Sequence, residues 1–394
     1  MRANKPDKPR AEFPLTAHPA GQWVKKIKGT LYRFGGWRDP DGALAEYLRQ
    51  KDYLQAGLVP PPKDAPAETR LNMEDLRQQF LNARFVRVEM GRMTERMHFD
   101  YQRSCRTVVA IMGRNTIVET LKPKDFDVLA AALSKGVSQV TFANRFRLAR
   151  AMFLFASKQE LIPKRLNFGE NFTLPEKSSL RAERQAIGSK EFTAAELRAI
   201  IDKAGVPLKA MILLGINCGY GNNDCATLPL SAIKLDGGWI DFPRPKTAVE
   251  RRCPLWPETV EALRQALAKR PMPKNPDDGV LAFITRQGSP YVRFTAKGTN
   301  LDAIAGEFAK VLKELGLNGR RRAFYSLRRT FETVGGNSRD QISVDFVMGH
   351  APASDDMSAT YRQSITDERL VAVTDYVRAW LWPVEEKTEE KTAG

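Results

Sequence analysis

The stretch MGHAPASDDMSATYRQ, Met348 to Gln363, carries one of only three histidines in the 394-residue chain and, a short polar loop later, a tyrosine followed directly by arginine. The apolar run ISVDFVMGH that leads into it ends on Gly349-His350, the pattern of a helix that stops at a glycine and offers the histidine at its end. Upstream, NGRRRAFYSLRRTFET holds Arg320, Arg321, Arg322, Arg328 and Arg329. Tyr325 and Arg328 stand three apart, so they share a face if the segment is helical. Further upstream, WIDFPRPKTAVERRCPLW alternates polar and apolar residues on either side of Lys246-Thr247-Ala248, which reads as a β-hairpin with a lysine near its tip. Each motif alone has an ordinary meaning: a solvated lysine, a basic face, a structural histidine. Their order makes the ordinary meanings jointly poor.

Lys and Arg total 62 against 46 Asp and Glu, a formal net charge of +16 that exceeds what solubility requires. A polyanion is the usual partner of such an excess, and nucleic acid leads. With 42% apolar and 27% charged residues, the chain can bury more than one core. Cys105, Cys218, Cys225 and Cys253 are too far apart for CxxC ligand pairs, so no zinc framework emerges and reduced core thiols are expected. The N-terminus has no apolar core of signal-peptide length, and no apolar run reaches membrane-spanning length, which points to a cytoplasmic protein.

The chain divides by composition and periodicity. Residues 1–56 combine a basic arm, short strands around the Lys28-Gly29-Thr30 turn, and a helix with Asp39 or Asp41 as cap and Leu44, Tyr47, Leu48 and Leu54 as its stripe. Lys25, Lys26 and Lys28 suit a sheet that meets DNA phosphates. Residues 57–71, rich in Pro and Ala, read as a linker. Residues 72–165 hold four helices, the first capped by Asn72 with Leu76, Phe80, Leu81 and Phe85 as its apolar positions. In the last of them, Phe142, Phe146, Ala149 and Phe153 form one stripe while Arg145, Arg147 and Arg150 spread over the rest, either along a DNA backbone or into solvent. Residues 166–190 show no sustained period and separate this unit from residues 191–383, which open with a Thr193/Glu196 capping box. A charged tail, 384–394, follows.

Lys246-Thr247, SLRRTFET, MGH and ATYRQ, in this order, resemble the catalytic domain of the tyrosine recombinase, or phage integrase, family over roughly Phe192 to Trp382. The helical segment before it resembles that family's core-binding domain, and the N-terminal sheet and helix resemble its arm-binding domain. The resemblance implies a multidomain protein, mainly α with small β elements, that cleaves and rejoins double-stranded DNA without metal or cofactor. A free phenol has a pKa of about 10, so a tyrosine nucleophile needs help, and the phosphorane needs donors and positive charge. By this matching Tyr361 attacks, Arg328 and His350 bind the phosphate, Lys246 protonates the leaving 5′-oxygen, and Tyr325 stands where the family has a histidine. Arg251, Arg252, Arg320, Arg321, Arg322 and Arg329 become DNA-facing candidates. The amphipathic segment TDERLVAVTDYVRAWLW is expected to pack on a neighbouring protomer, within dimers that pair into tetramers on DNA, or else in its own core.

The family's first catalytic arginine is missing. Aligning Leu213-Leu214 and Gly219 places Gly221 at its position and Asp224 at the acidic position that follows, and no arginine occurs from Ile212 to Ile233. Losing one preorganised donor typically costs about a hundredfold in rate. Arg244, Arg251, Arg252 and the Arg320–Arg322 cluster are the candidates to replace it. The alternative is an impaired recombinase-fold protein that binds DNA as an accessory or regulatory factor.

Overall fold

The computed structural model describes residues 5–56, 60, 70–295, 298–319, 321–351, 356, 357, 361, 362 and 364–383. The fold is mainly α with three small antiparallel sheets. At the N-terminus β1 (Thr16–His18), β2 (Gln22–Ile27) and β3 (Thr30–Gly36) form one of them. Lys28 and Gly29 turn the hairpin with φ of 47° and 87°, the left-handed pair that a two-residue turn requires. The helix α1 (Pro40–Ala56) starts where Asp39 accepts a hydrogen bond from Gly42 N at 2.8 Å. Ala43, Tyr47 and Leu54 bury against Phe13, Trp23 and Phe34. Leu48, expected in that stripe, is 56% exposed, because the buried face runs through 43, 47 and 54.

Four helices follow: α2 (Met73–Glu89), α3 (Glu95–Met112), α4 (Pro123–Ser134) and α5 (Gln139–Lys158). Asn72 caps α2 through Asp75 N at 2.9 Å. Leu76, Phe80, Phe126, Phe146 and Phe153 meet in one core. Phe85, expected to join them, is half exposed and lies against the His98 ring. Residues 166–190 are more structured than their lack of period suggested. Phe172 is buried in the helical core and Phe168 packs on it, while Lys177–Ile187 forms a helix, α6, none of whose residues is fully buried. The expected linker over 57–71 lies outside the described residues apart from 60, 70 and 71, as does the 384–394 tail.

The last unit begins with α7 (Ala194–Lys203), whose Thr193/Glu196 capping box forms as the sequence indicates. Its central helix α8 (Val206–Asn217) is apolar all round and buried along nearly its whole length. After the short α9 (Asn222–Ala226) come β4 (Ile233–Lys234), β5 (Trp239–Asp241) and β6 (Arg252–Pro254), paired in that order. Helix α10 (Pro257–Ala268), the hairpin β7 (Val292–Phe294) and β8 (Asn300–Asp302), and α11 (Ala303–Glu314) follow. Helices α12 (Tyr325–Gly336), α13 (Gln341–Met348) and α14 (Asp367–Leu381) close the unit.

Two contacts set the frame of the site. A Cβ on Gly215 would come within 2.7 Å of Leu327 Cδ1, so only glycine lets α12 cross α8 this closely. Buried Asn217 accepts from Trp256 N and Thr259 Oγ1, each at 2.9 Å, and donates to Pro254 O at 3.0 Å, tying the end of α8 to β6 and α10. Helix α14 seats Leu370, Val373, Val377 and Leu381 in its own domain, where Trp256 Nε1 donates to Thr374 O at 3.0 Å. Of the two packings its stripe allowed, the intramolecular one is present.

Candidate active site

Arg328 lies in the first turn of α12 and is 1% exposed. Its Nη1 donates to Gly219 O at 2.5 Å and its Nη2 to Met348 O at 2.8 Å. Those carbonyls end α8 and α13, so the guanidinium bridges two helix C-termini, where the backbone dipole is negative. Among the described residues no carboxylate is paired with it. Burial pushes its pKa down, the charges of Arg244 and Arg251 push the same way, and Tyr325 and the nearby Asp224 carboxylate push against them.

Gly349 ends α13 in the left-handed conformation, φ 64° and ψ 40°. The chain then places His350 at the helix end, as the sequence pattern indicated. Its Nδ1–H donates to Asp345 Oδ1 at 2.9 Å, and Glu332 Oε2 lies 3.7 Å from the same nitrogen. With Nδ1 so occupied, Nε2 donates to an anion when the ring is protonated. The donor atoms of Glu332, Asp345 and His350 lie within 4.8 Å of one another, the set among the described residues that offers ligands to a cation. Asp345 and Glu332 carried no signal in the sequence, since their approach to His350 depends on how α12 and α13 cross.

Arg328, His350, Tyr325, Arg329 and Arg321 line one cleft of about 810 Å³, together with Ser138 and Val140 at the start of α5 and Glu183, Arg184 and Ile187 of α6. Glu183 accepts from Gln139 N at 2.8 Å, which fixes α6 there. Tyr325 is half exposed, with the Arg329 guanidinium over its ring at 5.9 Å. Lys246 is exposed at the tip of the β5–β6 hairpin. The next residue, Thr247, donates from Oγ1 to Gly349 O at 3.3 Å, so the hairpin rests on the end of α13. Tyr361 is 77% exposed and is not among the residues lining the cleft. Its neighbour Arg362 lines a smaller pocket of about 210 Å³ that also reaches His350 and Asp345.

The turn that lacks the expected arginine is occupied. Gly221 has φ −97° and ψ 177°, which any residue adopts, and caps α9, where its N donates to Asp224 Oδ2 at 2.7 Å. A Cβ there would lie 3.3 Å from Asp224 Oδ2 and 3.4 Å from the Tyr325 ring. The other oxygen of Asp224 accepts from Arg251 Nη2 at 3.3 Å. Arg251 also donates from Nε to Phe242 O at 2.9 Å, and its guanidinium lies 3.9 Å from the Tyr220 ring centre. Its side chain has no exposure, and its Nη1 and the Tyr220 hydroxyl have no hydrogen-bond partner among the described residues.

Several arginines that the sequence marked as DNA-facing are engaged inside the domain. Arg252 pairs with Asp367 at 2.9 Å and stacks on Trp239 at 4.3 Å. Arg322 is buried against Glu196 at 2.8 Å and Phe192. Arg320 lies outside the described residues. In the N-terminal units, Lys26 and Lys28 are exposed, whereas Lys25 donates to Pro14 O at 3.0 Å and lies over Tyr47. Arg145, Arg147 and Arg150 are exposed, with Arg145 also donating to Leu133 O at 3.2 Å. All four cysteines are free and buried, and burial raises the thiol of Cys105 to about 12.

The assembly has the tyrosine recombinase fold. It superposes on a lambda integrase dimer bound to a COC′ core site with a TM-score of 0.53 and 16% identity, covering 92% of this chain and 96% of that one. A fragment of the Tn1549 transposon integrase in complex with transposon right-end DNA gives a TM-score of 0.54 and 14% identity over 78% and 100% of the two chains. A lambda integrase tetramer on a Holliday junction gives 0.52 and 16%, over 91% and 98%. No protein-family model and no curated protein sequence matches the chain.

Proposed function

We propose that the protein is a site-specific DNA recombinase that cuts and rejoins duplex DNA through a 3′-phosphotyrosyl intermediate. The observation that carries this reading is Arg328: a buried guanidinium held by two carbonyls and, among the described residues, by no carboxylate, at a cleft that also presents His350. A desolvated cation without a counter-ion is costly, and a phosphate diester is the anion that the neighbouring groups suit. The net charge of +16, and the fold shared with integrases solved on DNA, agree with a duplex ligand.

In the proposed reaction the Tyr361 oxygen, having given up its proton to solvent water, bonds to the scissile phosphorus. The bond from phosphorus to the 5′-oxygen breaks, and that oxygen takes a proton from Lys246. Arg328 and His350 hold the non-bridging oxygens, with Tyr325 as a neutral donor. A 5′-hydroxyl of the partner strand then reverses the step, so the phosphodiester energy is retained and neither metal nor cofactor is consumed. Tyr361 has to enter the cleft beside His350 for this. Assembly as dimers pairing into tetramers on DNA fits the same reading, and exchange of the C-terminal helix between protomers would require α14 to leave its own core. The setting that suits it is the bacterial cytoplasm, on the DNA of a phage or other mobile element.

A second reading, a DNA-binding accessory protein on this fold, is favoured by Gly221 alone. The test uses duplexes selected from a randomised pool by binding to the Tyr361→Phe variant, then nicked to trap the cleaved state. The recombinase reading expects a covalent complex that survives denaturant and vanishes in Tyr361→Phe. Salt-sensitive binding with intact DNA sinks it and favours the accessory role.

A further inference from the structure

The site lacks one arginine, and the arginines near it differ sharply in what they already hold. Arg251, nearest in kind to a replacement at Gly221, is wholly enclosed between Tyr220, Phe242 and Asp224, with its charge matched by that carboxylate. Arg252 and Arg322 are spent on Asp367 and Glu196. Arg244 is not spent. Among the described residues it has no carboxylate within ion-pair distance. The one acceptor for its side chain among those residues is Gly349 O, reached by Nη1 at 3.4 Å, a long contact that holds the group weakly.

Its placement is nevertheless fixed. Arg244 N donates to Val249 O at 2.9 Å, and Arg244 O accepts from Thr247 N at 3.1 Å and Ala248 N at 2.8 Å, so it stands at the base of the turn that carries Lys246. Its stem presses on the end of α13, where a Cβ on Gly349 would sit 2.9 Å from Arg244 Cβ. Arg328 holds the adjacent carbonyl, Met348 O, at 2.8 Å. Two guanidiniums thus hold successive carbonyls just before His350, near enough that the charge of Arg244 helps to lower the pKa of Arg328. Such crowding of unpaired cations is unfavourable until an anion joins them.

We propose that Arg244, at the base of the β5–β6 hairpin, supplies the second guanidinium on the scissile phosphate that the family takes from the turn now occupied by Gly221. This rests on the recombinase reading. It makes the phosphate site a product of two segments, the hairpin base and the α12–α13 corner, so that leaving-group acid and phosphate clamp move together.

The experiment measures covalent-complex formation on the selected nicked duplexes by the full chain and its variants. Arg244→Gln is expected to slow the reaction by about a hundredfold with the thermal unfolding midpoint unchanged. Arg244→Lys should recover part of the loss, since lysine brings the charge without the planar fork. Placing Gly221→Arg in the Arg244→Gln background should restore at least about tenfold, a recovery that a purely structural role for Arg244 would not allow. Cleavage by Arg244→Gln within about threefold of the wild type overturns the assignment, as does a loss that Gly221→Arg leaves untouched. If the wild type forms no Tyr361-dependent complex, the recombinase reading fails on its own, and binding decides the assignment. Arg244→Gln must then flatten the slope of log affinity against log salt by about one phosphate contact, and an unchanged slope overturns it.

Discussion

Two buried arginines lie close together in the last domain, and they are opposites. Arg251 has a carboxylate at 3.3 Å, a carbonyl at 2.9 Å and an aromatic ring beneath it, and its side chain is fully enclosed with its charge matched. Arg328 has two carbonyls, no carboxylate, and a cleft in front. Burial alone therefore does not mark a functional cation. The counter-ion does: a charge matched inside the protein belongs to the fold, and one held only by backbone dipoles is left available for an outside anion.

The contrast can be broken by stability measurements. Replacing Arg251 with Met strands Asp224 in a buried turn and is expected to cost about 3–5 kcal/mol in denaturant unfolding. The same change at Arg328 removes an unmatched charge and leaves two carbonyls short of donors, so its loss should be less than half as large while DNA binding suffers more. Equal losses at the two positions would erase the distinction. Gly349→Ala comes next. It forces a Cβ into a left-handed residue and against Arg244, which predicts about 1–2 kcal/mol of lost stability, read from the same unfolding curves. A fully tolerated alanine would mean that the hairpin does not rest there.

The smallest effect concerns the start of α13, which carries His350 at its other end. Asp340 caps Ser343 N at 3.1 Å and pairs through both oxygens with Arg369, at 2.6 and 2.8 Å. The Arg369 guanidinium holds its pKa down to about 2, below the ordinary 3.8. A carboxyl depressed in this way stabilises the folded state at neutral pH and loses that contribution as pH falls through the interval between those two values. Asp340→Asn should therefore lower stability by about 1 kcal/mol at pH 7, with the gap to the wild type closing between about pH 4 and pH 2. A gap that persists below pH 2 would assign the effect to packing.

What the sequence disclosed follows from how local each signal is. The glycine that ends α13, the Asn72 and Thr193 caps and the Lys28-Gly29 turn depend on a few adjacent residues, and all appear where the pattern put them. The gap at Gly221 was equally visible, because a missing residue type within a motif needs no fold to be noticed. What fills the gap was not. The Tyr325 ring reaches Gly221 across 104 positions, and Arg251 meets Asp224 across 27, distances that no periodicity encodes. Helix α6 escaped for another reason: none of its residues is fully buried, so no core position in the sequence marked it. Arg244 could be named as a candidate from its position beside Lys246, but its lack of a carboxylate partner is a fact of the folded chain.

The central claim is that the oxygen of Tyr361 becomes bonded to DNA phosphorus in a pocket floored by Arg328. Mass spectrometry of the trapped complex, trimmed by nuclease and protease, reads this directly. The account predicts a peptide containing Tyr361 that carries a nucleotide through its 3′-phosphate. An adduct on any other residue, or the same adduct formed undiminished when Arg328 is replaced by Lys, would contradict it.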